Sequence, residues 1–282
     1  MAEFNPVMRL NMALPLKMNL RVLAMTQQKW LPPQEILPFA RNALGVEKGQ
    51  EAAWYAKARW GYQATSLMVH YMVTNRADQV RDLVEPINWA PVLEALDDGK
   101  GVALAAAHSS AALPMHMNIF QSSGLPVMGL TSNTGIAQYN PDILDVKDEA
   151  TRRTALVRAY AHLRDGKVVM AAPSGRTGTQ FRMMPFLGQN IRMYTGYAEL
   201  ARMSGSASFY LDARWNGPGK VLVELLRIQP DENLEDEAWC DQWYRTYLDY
   251  LADAMKAGPA NLGFSHGLWD SENGGLQWRT ES

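Results

Sequence analysis

His108 stands where an unbroken run of small apolar residues ends, and hydroxyls follow it at Ser109 and Ser110. Imidazole takes up and returns protons near neutral pH, which suits removal of a proton from an attacking hydroxyl or amine. A second apolar run stops in the same manner at Ser174, Gly175 and Arg176. Arg176 would place a fixed positive charge in the mouth of a cleft, able to hold a phosphate or carboxylate in a forked contact. Gly175 and Gly178 flank it and would let backbone approach a ligand closely. Each feature has a plainer alternative: a strand-end histidine satisfied by backbone, and a surface arginine. The matching of the two polar strand ends favours the functional reading of His108.

Other constellations fail. His70, His116, His162 and His266 show no paired spacing that would hold a metal, and His162 is expected on an exposed helical face. Cys240 is the one cysteine, so neither an internal disulfide nor a cysteine-based zinc site can form. Pro173-Ser174-Gly175 is too short to stand in for a Gly-x-Ser-x-Gly elbow. The loop after it lacks the glycine spacing and Gly-Lys-Ser/Thr ending of a phosphate-binding loop. Carboxylates are numerous but scattered, and no pair can be nominated.

The elements that must position these residues follow from a pattern that occurs twice. Leu93 to Ser109 reads LEALDDGKGVALAAAHS, and Leu163 to Ser174 reads LRDGKVVMAAPS. Each closes a helix at Asp-Gly-Lys, where glycine can take the left-handed conformation, and then enters an apolar string typical of a strand buried on both faces. A helix over 194–203 and a strand over 207–212 repeat the unit and reach Asp212 and Arg214, and a strand over 125–131 joins the same sheet. Alternating helices and strands predict an α/β fold, a central mostly parallel sheet flanked by helices. Ligands bind such sheets beyond the carboxyl ends of the strands, so two strand ends point at one cleft.

Around this centre, helices are expected over 34–44, after Pro32 and Pro33, and over 49–74, with Trp54, Ala58, Tyr62, Leu67 and Tyr71 as a core stripe. A hairpin over 207–228 turns at Asn216-Gly217-Pro218-Gly219. A helix over 235–257 carries Trp239, Trp243, Tyr247 and Tyr250 on one side, again mostly as core. No linker or low-complexity run divides the 282 residues, so 1–282 reads as one domain, with 1–33 an amino-terminal segment and 271–282 a loose tail.

With 47% hydrophobic and 20% charged residues the chain is of the folded, globular kind. A net charge of −2 gives no electrostatic reason to expect a nucleic acid or an anionic membrane as partner. Residues 7–25 are rich in Met and Leu, but Arg9, Asn11, Lys17, Asn19 and Arg21 interrupt them, so no transmembrane anchor is expected. A helix packed on its own domain or on a second subunit is preferred there over an amphipathic segment in peripheral membrane contact. A reducing cytoplasm is the default compartment.

In its order of features the chain resembles the lysophospholipid acyltransferase superfamily, in particular the lipid A lauroyl/myristoyl acyltransferase branch, from about residue 35 to about 270. The likeness rests on GVALAAAHSSAAL at 101–113, KVVMAAPSGRTGTQFRMMPFLG at 167–188, TGYAELARMSGSASFYLDARW at 195–215 and PANLGFSHGLW at 259–269. Pro185-Phe186-Leu187-Gly188 followed by a helix with Ala-Arg-Met-Ser-Gly is the most specific piece.

The resemblance implies an acyltransferase in which a histidine deprotonates an acceptor that attacks an acyl thioester, while an acid five positions later orients the ring. His108 occupies the histidine's position, and Ser174, Gly175 and Arg176 look like the second substrate-contacting block. Leu113 occupies the acid's position and cannot do its work. Three outcomes stay open: an acid from elsewhere or a serine such as Ser109 or Ser110 orients His108; the acceptor is an amine or thiol that needs less help; or acyl transfer is lost.

The resemblance further implies an acyl thioester as co-substrate, no other cofactor, and an acyl or peptidyl carrier protein as partner. The chain departs from that branch in lacking the expected amino-terminal membrane anchor, which suggests an acceptor presented in water, a small molecule or a carrier-bound intermediate, with specialised metabolism as the setting. An apolar groove lined by the many Met and Trp residues would suit the acyl chain, though these are equally good core fillers. The alternatives are a thioester hydrolase or rearranging enzyme with Ser109 or Ser174 as nucleophile, and an inactive carrier-protein-binding descendant.

Overall fold

A computed structural model describes residues 14–26, 37–131, 140, 142–174 and 180–262. The expectations for Pro32, Pro33, Gly175, Arg176, Gly178, His266 and the tail lie outside the described residues.

The first strand, β1 (Val102–Ala106), is buried along its whole length, as an apolar string without alternation requires. Its residues alternate between two cores. Ala103, Ala105 and Ala107 belong to one cluster, while Val102, Leu104 and Ala106 belong to the other. With β2 (Val127–Thr131), β3 (Ile143–Asp145), β4 (Val168–Ala171), β7 (Ala207–Trp215) and β8 (Val221–Ile228) it forms a six-stranded sheet in the order β3-β2-β4-β1-β7-β8. All neighbours are parallel except β7 and β8, which form the expected hairpin. A separate antiparallel ribbon joins β5 (Phe181–Phe186) to β6 (Gln189–Tyr194). The α/β fold is therefore as expected.

Helices cover both faces. α1 (Leu16–Thr26), most of α3 (Glu51–Val73), α5 (Ala90–Asp97) and α6 (Ala112–Ser122) pack on the Val102–Leu104 side. α2 (Leu37–Leu44), α7 (Glu149–Arg164), α8 (Gly196–Ser204) and α9 (Asp236–Ala257) pack on the alanine side. The short α4 (Ala77–Arg81) adds Val80 to the first group. The alanines of β1 leave room for large rings: Trp243, Tyr244 and Tyr247 of α9 and Tyr210 of β7 are all essentially inaccessible.

The repeated Asp-Gly-Lys does what its composition suggests. Gly99 and Gly166 take φ of +74° and +68°, and each closes its helix with the same pair of bonds. Gly99 N–H donates to Leu96 O and Lys100 N–H to Ala95 O; Gly166 N–H donates to Leu163 O and Lys167 N–H to His162 O. This paired closure fixes the angle at which β1 and β4 enter the sheet.

Two details differ from the expected pattern. Tyr62 is 46% exposed, and Trp60 takes a buried place instead, 4.9 Å from Trp215 in an edge-to-face contact. His162 is only half-exposed, and its Nε2 lies 2.9 Å from the Pro126 carbonyl oxygen, tying α7 to the start of β2. In both cases tertiary packing decides between faces that helical spacing leaves nearly equivalent.

α3 passes close to a short 3₁₀ turn, Pro259–Asn261, and Gly61 makes that approach feasible. A methyl group at Gly61 would lie 2.8 Å from the Ala260 carbonyl carbon and 2.9 Å from Ser110 Oγ. Gly61→Ala is therefore expected to lower the free energy of unfolding by about 1–3 kcal/mol in urea denaturation. An unchanged midpoint would contradict this packing.

Candidate functional site

The sheet order places the site. From β1 the chain leaves through α6 on one face and goes to β2; from β4 it goes on to α8 on the other face. Neighbouring parallel strands whose continuations part to opposite faces open a crevice at their carboxyl ends, the usual ligand site of open α/β sheets. β1 and β4 are such a pair. The register pairs Val102 with Val168 through Ala105 with Ala171, so His108 and Ser174 lie at matching positions three residues beyond the last pair.

There they meet. His108 Nδ1 lies 2.9 Å from Ser174 Oγ. Ser174 is only 6% exposed, and behind it the Tyr247 hydroxyl stands 3.2 Å from Ser174 Oγ and 3.1 Å from the Ala106 carbonyl oxygen. Burial raises the Tyr247 phenol well above its ordinary pKa, with the Ser174 bonds only easing the shift, so it stays protonated. Sequence reasoning placed Tyr247 in the core and missed the polar tip. Its ring is indeed core, and the one available signal was a hydroxyl on an otherwise apolar helical stripe.

On the β7 side of His108 lies a small pocket of about 10 Å³, room for about one water. His108, Ser109, Tyr210, Leu251, Met255 and Leu262 help to line it, and β4 contributes nothing. The imidazole thus stands between Ser174 on one flank and the pocket on the other. The Met and Trp residues expected along a groove are mostly core among the described residues: Trp54, Trp60, Trp239, Trp243, Met68, Met115, Met170, Met184, Met193 and Met255 are buried.

Ser110 has a different task from the one expected. It is 1% exposed, its hydroxyl donates to the Ala260 carbonyl, and it accepts a 2.8 Å bond from Trp215 Nε1. Together with the backbone bridge between Ser109 and Leu262 and the 3.0 Å bond from Trp215 N–H to Asn261 Oδ1, it clamps 259–262 over the strand ends. That segment forms one wall of the pocket. Ser109 lines the pocket, Ser174 engages the ring, and Gly175 and Arg176 lie outside the described residues.

Leu113, the position at which the resemblance would put an acid, packs against the core on the α6 face. The buried carboxylate within β7, Asp212, forms an ion pair with Arg214 of its own strand. Burial raises the Asp212 pKa, and Arg214 opposes that shift. Cys240 is buried, its thiol pushed up to about 11 by burial, which keeps it out of thiolate chemistry near neutral pH. Among the described residues no group of three or more His, Cys, Asp or Glu side chains could hold a metal ion. No described helix is long and apolar enough to cross a membrane.

Compared with known proteins, the chain matches no family model and no curated protein sequence.

Removing the Ser110 hydroxyl leaves the Trp215 indole N–H and the Ala260 carbonyl without their partner. Ser110→Ala is expected to lower stability by about 1–3 kcal/mol, the cost of an orphaned buried polar group. Thermal and urea denaturation would check this, and a loss within about 0.3 kcal/mol would contradict the clamp.

Proposed function

We propose that this chain is an acyltransferase of the lysophospholipid acyltransferase kind, with His108 as general base. The observation that supports it best is the 2.9 Å contact between His108 Nδ1 and Ser174 Oγ beyond the carboxyl ends of β1 and β4. A base needs its ring held at a fixed angle by a partner on one nitrogen, so that the other can serve the substrate.

In this reading, Nε2 takes the proton from an amine or hydroxyl as its nitrogen or oxygen attacks the thioester carbonyl. The new C–N or C–O bond forms, the tetrahedral oxyanion collapses, and the C–S bond breaks. The thiolate then leaves with the proton that His108 returns. Backbone amides near the strand ends are expected to stabilise the oxyanion. A pocket the size of one water can receive the attacking atom but not an acyl chain. Ser174, assigned to substrate binding from the resemblance, here positions the ring; Gly175 and Arg176 keep the substrate-binding role.

The donor is a thioester on an acyl or peptidyl carrier protein, the acceptor a small molecule and the setting cytoplasmic. The expected experiment combines purified protein, an acyl carrier-protein thioester and a panel of amine and hydroxyl acceptors. His108→Ala should lower kcat by about 10²–10⁴-fold. Equal turnover by the variant would refute the mechanism.

One observation favours a second reading. A pocket sized for a single water beside a histidine also suits thioester hydrolysis, with water as the acceptor. Release of free acid without acceptor would mark that activity. A trapped acyl-serine in mass spectra would mark Ser174 or Ser109 as a nucleophile, and tight carrier-protein binding without turnover an inactive descendant.

A further inference from the structure

We infer that Tyr247 and Ser174 form a one-way hydrogen-bond chain that presents an acceptor to Nδ1 of His108 and so favours the Nδ1–H tautomer of its ring. The chain runs from the imidazole to the Ala106 carbonyl: Nδ1 to Ser174 Oγ at 2.9 Å, Ser174 Oγ to the Tyr247 hydroxyl at 3.2 Å, and that hydroxyl to Ala106 O at 3.1 Å.

Its direction is set by its last member. A backbone carbonyl accepts and cannot donate, and a phenol has one proton. With that proton given to Ala106 O, the phenolic oxygen meets Ser174 as an acceptor. The Ser174 O–H therefore donates to Tyr247, and Ser174 Oγ meets Nδ1 as an acceptor. Nδ1 then carries the ring's proton. The opposite polarity would withdraw the Tyr247 proton from a carbonyl on a residue with no exposed surface, where an acceptor is costly to strand.

The chain is also rigid. The Tyr247 ring stacks on Trp243 at 5.8 Å and 12°, and meets Tyr210 edge-on at 5.5 Å and 72°. Gripped this way, the phenol tip has little room to swing. The neutral pair thus does the orienting half of what a carboxylate does for a catalytic histidine. It supplies no negative charge to stabilise an imidazolium. Tyr247 and Ser174 are positioning residues, and this role rests on the reading of His108 as base only for its catalytic consequence.

The test is the nitrogen-15 chemical shifts of the neutral His108 ring in the intact protein, with the His108 signals assigned by their loss in His108→Asn. The Nδ1–H form should predominate. Tyr247→Phe keeps the ring and removes only the hydroxyl. It should shift the tautomer ratio toward Nε2–H by about 2- to 13-fold, the net worth of one hydrogen bond. Ser174→Ala should do the same, which preserves the test if the phenylalanine variant does not fold, and Ser174→Thr should restore the original ratio. A neutral His108 found mainly as Nε2–H, or a ratio unmoved by both variants, would overturn the chain. The readout needs no substrate. Nδ1–H in a protein that transfers no acyl group would sink the acyltransferase reading alone, and Nε2–H in an active one would sink this inference alone.

Discussion

A buried polar group must find a partner inside the protein, and beyond the carboxyl ends of β1 and β4 that requirement organises everything else. The sheet brings His108 and Ser174 to matching positions on adjacent strands, where their polar atoms leave an apolar interior together. Ser174 is too buried to rely on solvent, so its hydroxyl is shared between the imidazole and Tyr247. The result is a polar thread reaching from the strand end into one of the two hydrophobic cores.

The thread exists because of residues that do no chemistry. Ala103, Ala105 and Ala107 are small, and α9 uses the space to bring Trp243, Tyr244 and Tyr247 against the sheet. Larger side chains on that face of β1 would displace α9 and carry the Tyr247 hydroxyl away from Ser174. On the β7 side, the Ser110–Trp215–Asn261 clamp holds the 259–262 segment in place and gives the pocket its second wall. Core packing, clamp and crevice are thus coupled: the imidazole's angle is a consequence of how α9 and the 3₁₀ turn seat on the sheet.

Much of this architecture was legible in the chain itself. The twin Asp-Gly-Lys endings and the apolar runs that follow them carry a strong local signal, since glycine's left-handed conformation and burial on both strand faces leave few other solutions. They were enough to expect a mostly parallel sheet with His108 and Ser174 just beyond strand ends; that the two strands are neighbours, and that the pocket beside His108 is walled from the β7 side, came from the structure. The site's finer assignments were not legible. Ser110 looked like a partner for His108 because it is near in sequence, yet its hydroxyl serves Ala260 and Trp215, 150 and 105 residues away. Tyr247 looked like core because helical spacing reports which face a ring occupies and says nothing of where its hydroxyl ends. Tyr62 illustrates the same limit, since a long helix contacting two cores presents more than one buried stripe.

The account depends most directly on a physical link between the ends of β1 and β4. A double-mutant cycle on folding stability with His108→Ala, Ser174→Ala and the pair measures that link without any substrate. A coupling of about 0.5–1.5 kcal/mol is expected for a part-buried hydrogen bond between them. Additive losses, within about 0.3 kcal/mol, would mean the two side chains do not meet and would contradict the site as described.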